Sequence, residues 1–420
     1  MRHAGANSPS ALARALERVP HRERPWIQEL VYGTFRLRGR IDYLLDRLVR
    51  RGIASLDADI LDVLRLGAYQ LLEMDSVPVY AAVSQAVEMA KAIAGRGAGG
   101  LANGVLHSLQ RQRDSLRFPD FEDDPVAHLA SWGSHPEFLV ARWVREFGAQ
   151  GARALVEANN RRPSLYLRPI GLSPEDAARR LEEVGIASEP VPFAPDALHV
   201  PPPAGVREAL DAVPAVVQDP AAGLVVRYAA VPNGVVVADL CAAPGGKTLG
   251  LAERAGYVAA ADVSGDRLAR VEENARRIGV SNVGFVVSDA RWPALAGADV
   301  VLVDVPCTGT GTFRRHPDGK WRIGPTDLAA LVELQREILD AAAEVVRPGG
   351  LLVYSTCSLE REENQDQVDA FLARHPGFIV EPPDAGTVDA RLLDEVGRLV
   401  VLPQEWGVDG AFAARMRRSK

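Results

Sequence analysis

Val235-Val236-Val237-Ala238-Asp239-Leu240-Cys241-Ala242-Ala243-Pro244-Gly245-Gly246-Lys247-Thr248 opens the part of the chain whose pattern decides its fold. A short β-branched apolar run ends in an acid, a proline-glycine turn follows, and Lys247-Thr248 starts a helical stretch. The pattern recurs: Val258 to Val263, Val283 to Val287, Val300 to Val305 and Leu351 to Tyr354 are apolar runs with helical stretches between them. Continuous apolar runs alternating with helices predict a parallel sheet in an α/β layer fold. The helix Arg267 to Ile278 places Leu268, Val271, Ala275 and Ile278 on one face, which should pack on that sheet.

Upstream the periodicity changes. From Ser10 to Gln112 apolar residues fall at helical spacing: Leu30, Val31, Phe35, then Ile41, Leu44, Leu45, Leu48, then Ile60, Leu61, Leu64 and Leu71. Pro20 and Pro25, Gly52 and Pro78 divide this stretch into helices, and Gly95 to Gly100 is expected to be a loop. A boundary is drawn near Phe118 to Pro125. The predicted organisation is an all-helical domain over 1–118, a helical connector over 119–160, a small α+β unit over 161–215 with strand-like Leu165-Tyr166-Leu167 and a helix at Glu175 to Val184, and the α/β domain over 216–420.

Composition narrows the class. At 47% hydrophobic and 25% charged residues, the 420-residue chain is globular rather than disordered. The longest uncharged apolar candidate, Val235 to Ala243, has nine residues and contains Asp239, against the ~18 a bilayer span needs. Met1 to Asn7 has no apolar core behind its basic residue, so no secretory leader is expected and the cytoplasm is the default address. Net charge is −7, which argues against a uniformly basic surface. Residues 1–118 nevertheless carry 17 Lys+Arg against 12 Asp+Glu, or +5, leaving −12 for the remainder. Basic residues gather at Arg36, Arg38, Arg40, Arg47, Arg50 and Arg51, which reads as a solvated helix face unless something else implies a polyanion.

Ligands of open parallel sheets bind beyond the carboxyl ends of the strands. Here those ends carry Asp239 to Thr248, Asp262, Asp289, Asp304-Val305-Pro306-Cys307 and Ser355-Thr356-Cys357. A phosphate loop of the Walker type is excluded, because Cys241 stands where its first glycine is required, and no Gly-x-Gly-x-x-Gly follows a strand. The remaining reading is an adenosine-bearing ligand without a pyrophosphate. The turn Cys241-Ala242-Ala243-Pro244-Gly245-Gly246 lets backbone approach it, Asp262, 23 residues beyond Asp239, suits ribose hydroxyls, and Asp289 suits an adenine amino group, with loop capping as its competing role.

At this point a resemblance becomes specific. Asp-x-Cys-Ala-Ala-Pro-Gly-Gly-Lys-Thr at 239–248, Asp-x-Pro-Cys-Thr-Gly-Thr-Gly-x-x-Arg-Arg-His-Pro-Asp at 304–318 and Tyr-Ser-Thr-Cys-Ser at 354–358 resemble the Sun (NOL1/NOP2) family of S-adenosylmethionine-dependent RNA cytosine-5 methyltransferases. Asp409-Gly410-Ala411-Phe412 resembles that family's closing strand, with Ala411 where an aromatic is commoner. Glu29 to Arg36 and Asn103 to Leu106 resemble the NusB-like RNA-binding domain of the bacterial 16S ribosomal RNA member. The resemblance implies a Rossmann-like class I methyltransferase behind a NusB-like domain, S-adenosylmethionine as cofactor, and Arg267 and Asp304 among the residues near it. Relatives carry a further helix before the one containing Leu12 and Leu16, so an uncovered apolar face is expected on the helical domain.

Carbon 5 of cytosine is too electron-poor to attack a methyl sulfonium until a nucleophile adds at carbon 6, and a thiolate suits that addition. Charge entering the ring must be met at nitrogen 3, where the Asp304 carboxyl could share a proton. Cys307 and Cys357 end neighbouring strands and should converge on one pocket, though sequence order alone leaves open which of them attacks. The resemblance implies that Cys357 attacks and Cys307 assists release. Cys241 is expected to be structural, and Lys247 is either a donor near the pocket or a helix-opening lysine. Arg314, Arg315, Lys320 and Trp321, with Arg36, Arg38 and Arg40, are the expected RNA contacts. The histidines show no metal-ligand spacing and no metal is expected. The reading is thus an RNA cytosine-5 methyltransferase acting on an unstacked cytosine, most plainly of 16S ribosomal RNA, as a monomer without a membrane. Transfer RNA as substrate, and a non-catalytic NusB-like RNA-binding factor, are its competitors.

Overall fold

A computed structural model describes residues 8–420; the expectations that concern the first seven residues lie outside them. The chain divides into two compact units, one running through Arg161 and including Phe313–Arg322, the other made of Arg162–Thr312 and Ile323–Lys420.

The first unit is helical: α1 (Ser8–Leu16), α2 (Arg24–Arg36), α3 (Arg38–Leu48), α4 (Ala58–Glu73), α5 (Val79–Gln112), α6 (Pro125–Ser131) and α7 (Glu137–Asn160). Ile41, Leu45, Leu64, Leu106 and Leu109 are fully buried at its centre, the first three at the helical spacing seen in the sequence. Burial of such side chains contributes about 1.5–3 kcal/mol apiece. Asp57 and Asp124 cap α4 and α6 by accepting from Asp59 N at 2.8 Å and Ala127 N at 2.9 Å. The loop expected over Gly95 to Gly100 is instead a break of two residues, Ala94 and Gly95, inside α5. Gly95 alone takes a left-handed φ of +79°, and the glycines after it remain helical.

The second unit holds two sheets. In the smaller, β1 (Leu165–Pro169) lies between β3 (Leu198–Val200) and β4 (Ala215–Val217), with β2 (Glu189–Pro190) outside β3, all antiparallel. Helices α8 (Pro174–Glu183) and α9 (Val206–Ala212) close its core over Leu167, Ala177, Leu181 and Leu198. Helix α10 (Pro220–Ala229) follows and packs on the larger sheet.

That sheet contains β5 (Val236–Asp239), β6 (Tyr257–Asp262), β7 (Val283–Val287), β8 (Ala298–Asp304), β9 (Val346–Thr356), β10 (Phe378–Val380), β11 (Leu399–Val401) and β12 (Ala411–Arg418). Its order is β10-β12-β9-β8-β5-β6-β7, with β11 paired to β12. Strands β5 to β9 run parallel and β12 lies antiparallel to β9, so the sheet is mixed but mostly parallel, as the alternation of apolar runs and helices predicts. Alternate residues feed two cores: Val237, Val300, Leu302 and Val353 pack with Leu224 and Tyr228 of α10, while Ala238, Val301, Val303 and Tyr354 pack with Ile338 and Leu339 of α13 (Pro325–Val345). Helix α11 (Gly246–Ala252) follows β5 and α12 (Gly265–Ile278) follows β6. Leu268, Val271 and Ala275 of α12 are buried, while Ile278 is only partly so. Helix α14 (Gln365–Arg374) follows β9 and α15 (Pro403–Trp406) precedes β12. Because β8 and β9 are adjacent and in parallel register to Asp304↔Ser355, whatever follows these two residues emerges side by side. Among the described residues no helix is long and apolar enough to cross a membrane.

Candidate active site

The two loops that leave β8 and β9 bring Cys307 and Cys357 together, with their Sγ atoms 3.3 Å apart. Both are half-buried. The hydrogen bond to Cys357, followed by burial, pushes the Cys307 thiol well above its ordinary range. The loops are held to each other by backbone and buried polar groups: Val305 N donates to Ser355 O at 3.0 Å, Gly311 N to Cys357 O at 3.0 Å, and Gly410 N to Gly311 O at 2.7 Å. A Cβ on Gly311 would stand 2.7 Å from Gly410 Cα and 2.8 Å from the Cys357 carbonyl oxygen, so only glycine permits this approach.

Beneath the loops lies a carboxylate that the sequence reading missed. Glu363 is fully buried, and its Oε1 accepts from Thr308 N at 2.9 Å and from Gln335 Nε2 at 2.8 Å, while Oε2 accepts from Thr308 Oγ1. Ser358 Oγ lies 3.0 Å from Thr308 Oγ1 and 3.3 Å from Thr310 Oγ1, joining the Cys357 loop to the Cys307 loop. In the sequence Glu363 belongs to the charged run Glu360-Arg361-Glu362-Glu363, and nothing local separates it from its neighbours.

Asp304, at the end of β8, accepts from Ser355 Oγ at 2.7 Å through Oδ1 and from Lys247 Nζ at 2.7 Å through Oδ2. Lys247 is thus a partner of Asp304 rather than a lysine that merely opens α11. Burial pulls its pKa down, but Asp304 beside it outweighs that and the net shift is upward. Cys241, in the preceding turn, is a thiol pushed well up by burial and by the acids around it, as suits a structural role.

The residues expected to hold the cofactor sit at the ends of β5, β6 and β7. Asp262 is held by Ala243 N on Oδ2 at 3.1 Å and by Ser264 N on Oδ1 at 3.0 Å. Arg267 approaches Asp262 at 3.7 Å and donates to Ala243 O at 2.6 Å, tying α12 to the turn. Gly245 has φ +103°, and a Cβ there would meet Val271 at 2.6 Å; the first glycine is thus demanded by packing against α12 as well as by the turn. Asp289 is closed on Arg291, which donates to it through N at 2.9 Å and Nη2 at 2.7 Å and holds its carboxyl below the usual range. Asp289 is therefore a loop-capping aspartate here, and an adenine amino group would have to share it with Arg291.

Asp239, absent from the expected site, is 1% exposed and accepts from Thr248 Oγ1 at 2.6 Å, while its Oδ1 has no partner in the protein. Burial pushes its carboxyl from the ordinary 3.8 up to about 7. An unmet acceptor on Asp239 beside the fixed Asp262 fits a polar ligand bearing N–H and O–H donors, which the amino acid and ribose portions of S-adenosylmethionine supply. The residues that would hold it are Ala242 to Gly246, Asp262 and Asp239.

Several expected RNA contacts are corrected. Lys320 is fully buried, and Arg36 and Arg314 are each 7% exposed. Lys320 Nζ donates to Arg36 O at 2.8 Å and to Asn160 Oδ1 at 3.3 Å; burial first, and the repulsion of Arg36 and Arg40, draw its pKa well down. Arg36 Nη2 donates to Arg314 O at 3.3 Å. These cations are internal struts of the helical unit, so they offer no phosphate-binding surface. Arg40 covers Trp132 at 3.8 Å, Arg315 is half-buried, and Arg38 lies 5.3 Å from the Trp321 ring centre.

Residues 228–417 match the 16S rRNA methyltransferase RsmB/F family, residues 4–111 the NusB family, and residues 135–207 an RsmF/B-like ferredoxin-like domain. The ribosomal RNA small subunit methyltransferase B of Salmonella typhi is 35% identical over 98% of this chain and 94% of its own. That of Cronobacter sakazakii is 36% identical over 89% and 87%. Among solved structures, PH0851 is 26% identical, covers 98% of this chain and 95% of its own, and gives a TM-score of 0.81. A methyltransferase homologue from Pyrococcus horikoshii, 27% identical, covers 68% and 96% with a TM-score of 0.57. With this similarity along nearly its whole length, the chain belongs to the 16S rRNA methyltransferase RsmB/F family and is an S-adenosylmethionine-dependent RNA methyltransferase.

Proposed function

We propose that the chain methylates carbon 5 of a cytosine in 16S ribosomal RNA through a covalent adduct on Cys357. The observation that carries the reading is the pair of sulfurs 3.3 Å apart at the ends of adjacent strands, one of them held as a thiol. S-adenosylmethionine, when bound, supplies an electrophilic methyl group. Cys357, as thiolate, forms a bond to carbon 6, and the ring electrons move toward nitrogen 3 and the carbonyl. The Asp304–Lys247 pair holds one more proton than a lone carboxylate, so it can offer a hydrogen bond to nitrogen 3 as that charge develops. Carbon 5, now enamine-like, takes the methyl group. Transfer of the carbon 5 proton to a solvent water re-forms the carbon 5–carbon 6 double bond as the Cys357–carbon 6 bond breaks, and the Cys307 thiol donates a hydrogen bond to the departing thiolate. A hydrogen bond to a charged group is worth about 1.5–3 kcal/mol, or roughly 10–100-fold in rate. The 16S assignment is supported by the NusB match and by the names of the relatives.

Denaturing gels of the protein incubated with S-adenosylmethionine and 16S RNA test this. Wild type should show a transient protein–RNA band, Cys357→Ala none, and Cys307→Ala a band that persists roughly 10–100-fold longer. A band retained by Cys357→Ala and lost in Cys307→Ala would exchange the roles.

A further inference from the structure

The helical unit contains a cavity of about 460 Å³ in which apolar walls meet charged side chains. Val31, Phe35 and Leu61 supply apolar surface and Trp321 an indole ring. Asp318 lines the same cavity; it is 1% exposed, and neither of its carboxylate oxygens is hydrogen-bonded. Its one ion pair is to Arg322 Nη2, 3.3 Å from Oδ2, on a side chain half exposed to solvent. Arg38 also lines the cavity; its buried Nε makes no close hydrogen bond and has the Asp42 carboxylate 3.5 Å away as counter-charge. Arg65, by contrast, is fully engaged, with two bonds of 2.7 Å to Asp42 and one of 2.8 Å to Asp62.

A buried carboxylate whose oxygens accept no hydrogen bond, in the same cavity as a guanidinium whose Nε is met only by a 3.5 Å ion pair to Asp42, marks a place where a ligand can carry the complementary set. The carboxylate asks for two adjacent N–H donors, and the guanidinium asks for acceptors beside them. We infer that the cavity takes an unstacked guanine base of the RNA substrate, with Asp318 accepting from N1–H and the N2 amino group and Arg38 donating toward O6 and N7. Guanine is the base with that arrangement. Adenine turns the N1 lone pair toward the carboxylate, uracil flanks its single N–H with carbonyls, and cytosine sets its amino group beside an acceptor. Trp321 gives the base a face to stack on. The cavity volume is within the range of small-ligand sites. Three cations, Arg38, Arg65 and Arg322, line it against two acids, Asp62 and Asp318, which favours a nucleotide over a cationic peptide. Segment Phe313–Arg322 thus contributes to the helical unit a base-reading acid in place of the phosphate contacts its sequence suggests.

This inference rests on RNA as the partner of the chain, and its test reads binding without methyl transfer, so the two can fail separately. Guanosine, inosine and adenosine 5′-monophosphates are titrated calorimetrically into the full chain. The expected order is guanosine, then inosine about tenfold weaker for want of the N2 amino group, then adenosine about a hundredfold weaker. Asp318→Asn should bring guanosine monophosphate down to the adenosine level, and Leu61→Trp, which fills the cavity, should remove binding of all three. Melting curves of both variants verify that they are folded. Equal binding of the three nucleotides to wild type, no saturable binding, preferential binding of N-acetyl-arginine amide, or a guanine preference unchanged in both variants would each overturn it.

Discussion

Burial pushes the Asp239 carboxyl up to about 7, and that displacement has a consequence for stability. Between its ordinary 3.8 and about 7 the folded chain keeps a proton that the unfolded chain has lost. The folded state then binds more protons, so the unfolding free energy falls as pH rises through this window. Asp239→Asn keeps an acceptor for Thr248 Oγ1 and removes the titration. The melting temperature of wild type should therefore decline from pH 4 to pH 7 more steeply than that of the variant, which should be the more stable at pH 7.5 by up to a few kcal/mol, since each pKa unit is worth about 1.4 kcal/mol. Parallel slopes for the two proteins would show that Asp239 does not titrate in the window. Lys247 and Asp304 illustrate another arrangement: both are partly sequestered, and each is the other's counter-charge at 2.7 Å. The sequence places Asp304, Lys247 and both cysteines at strand ends because parallel strands are apolar throughout and polar residues become conspicuous where they stop. Asp239 was visible by the same signal, as the acid closing β5, but its burial depends on Thr248 and on strands far away in sequence.

At the scale of elements, the Cys307 and Cys357 loops act as one piece because Glu363 and the Thr308, Thr310 and Ser358 hydroxyls join them. Glu363 meets two N–H donors and a hydroxyl at once, so Glu363→Gln replaces an acceptor with an amino group that faces donors. One buried donor loses its partner, which costs about 1–3 kcal/mol and should lower the melting temperature by several degrees. Glu363 also raises the Cys307 thiol pKa, after the larger effects of Cys357 and burial. The variant's pH profile for adduct release should accordingly move to lower pH, a shift that looser packing alone would not produce. A profile that keeps its midpoint while the protein melts earlier would reduce Glu363 to a structural support. Legibility follows the range of the interactions. The parallel strands and α12 could be read because their apolar periodicity is local, whereas the role of Glu363 could not, because Thr308 and Gln335 lie 55 and 28 residues away. The basic and aromatic segment around Trp321 misled for the same reason. Lys320 finds its acceptors on Arg36 and Asn160, 284 and 160 residues distant, and a lysine with such partners packs inside.

For the whole molecule, the two units divide the work that the charge asymmetry already suggests. Residues 1–118 carry +5 and the remainder −12, so electrostatic attraction to RNA is concentrated in the helical part of a chain that is acidic overall. In the proposed reaction the cytosine is approached at carbon 6 by a thiolate and at carbon 5 by a methyl donor on its face, which a stacked base does not permit. Extruding a paired base costs a few kcal/mol, and one locked in a finished ribosomal subunit costs more. Bisulfite sequencing of total RNA from a strain lacking the gene should therefore show one 16S cytosine that has lost protection, with transfer RNA unchanged. Restoring the purified protein to RNA from that strain should methylate deproteinised 16S RNA far faster than assembled small subunits, and raising the salt should slow the reaction on the free RNA, because the phosphate contacts release counterions. A transfer RNA cytosine losing its mark would move the substrate to a different RNA, and equal rates on naked and assembled 16S would mean that the target base is already unstacked in the mature subunit.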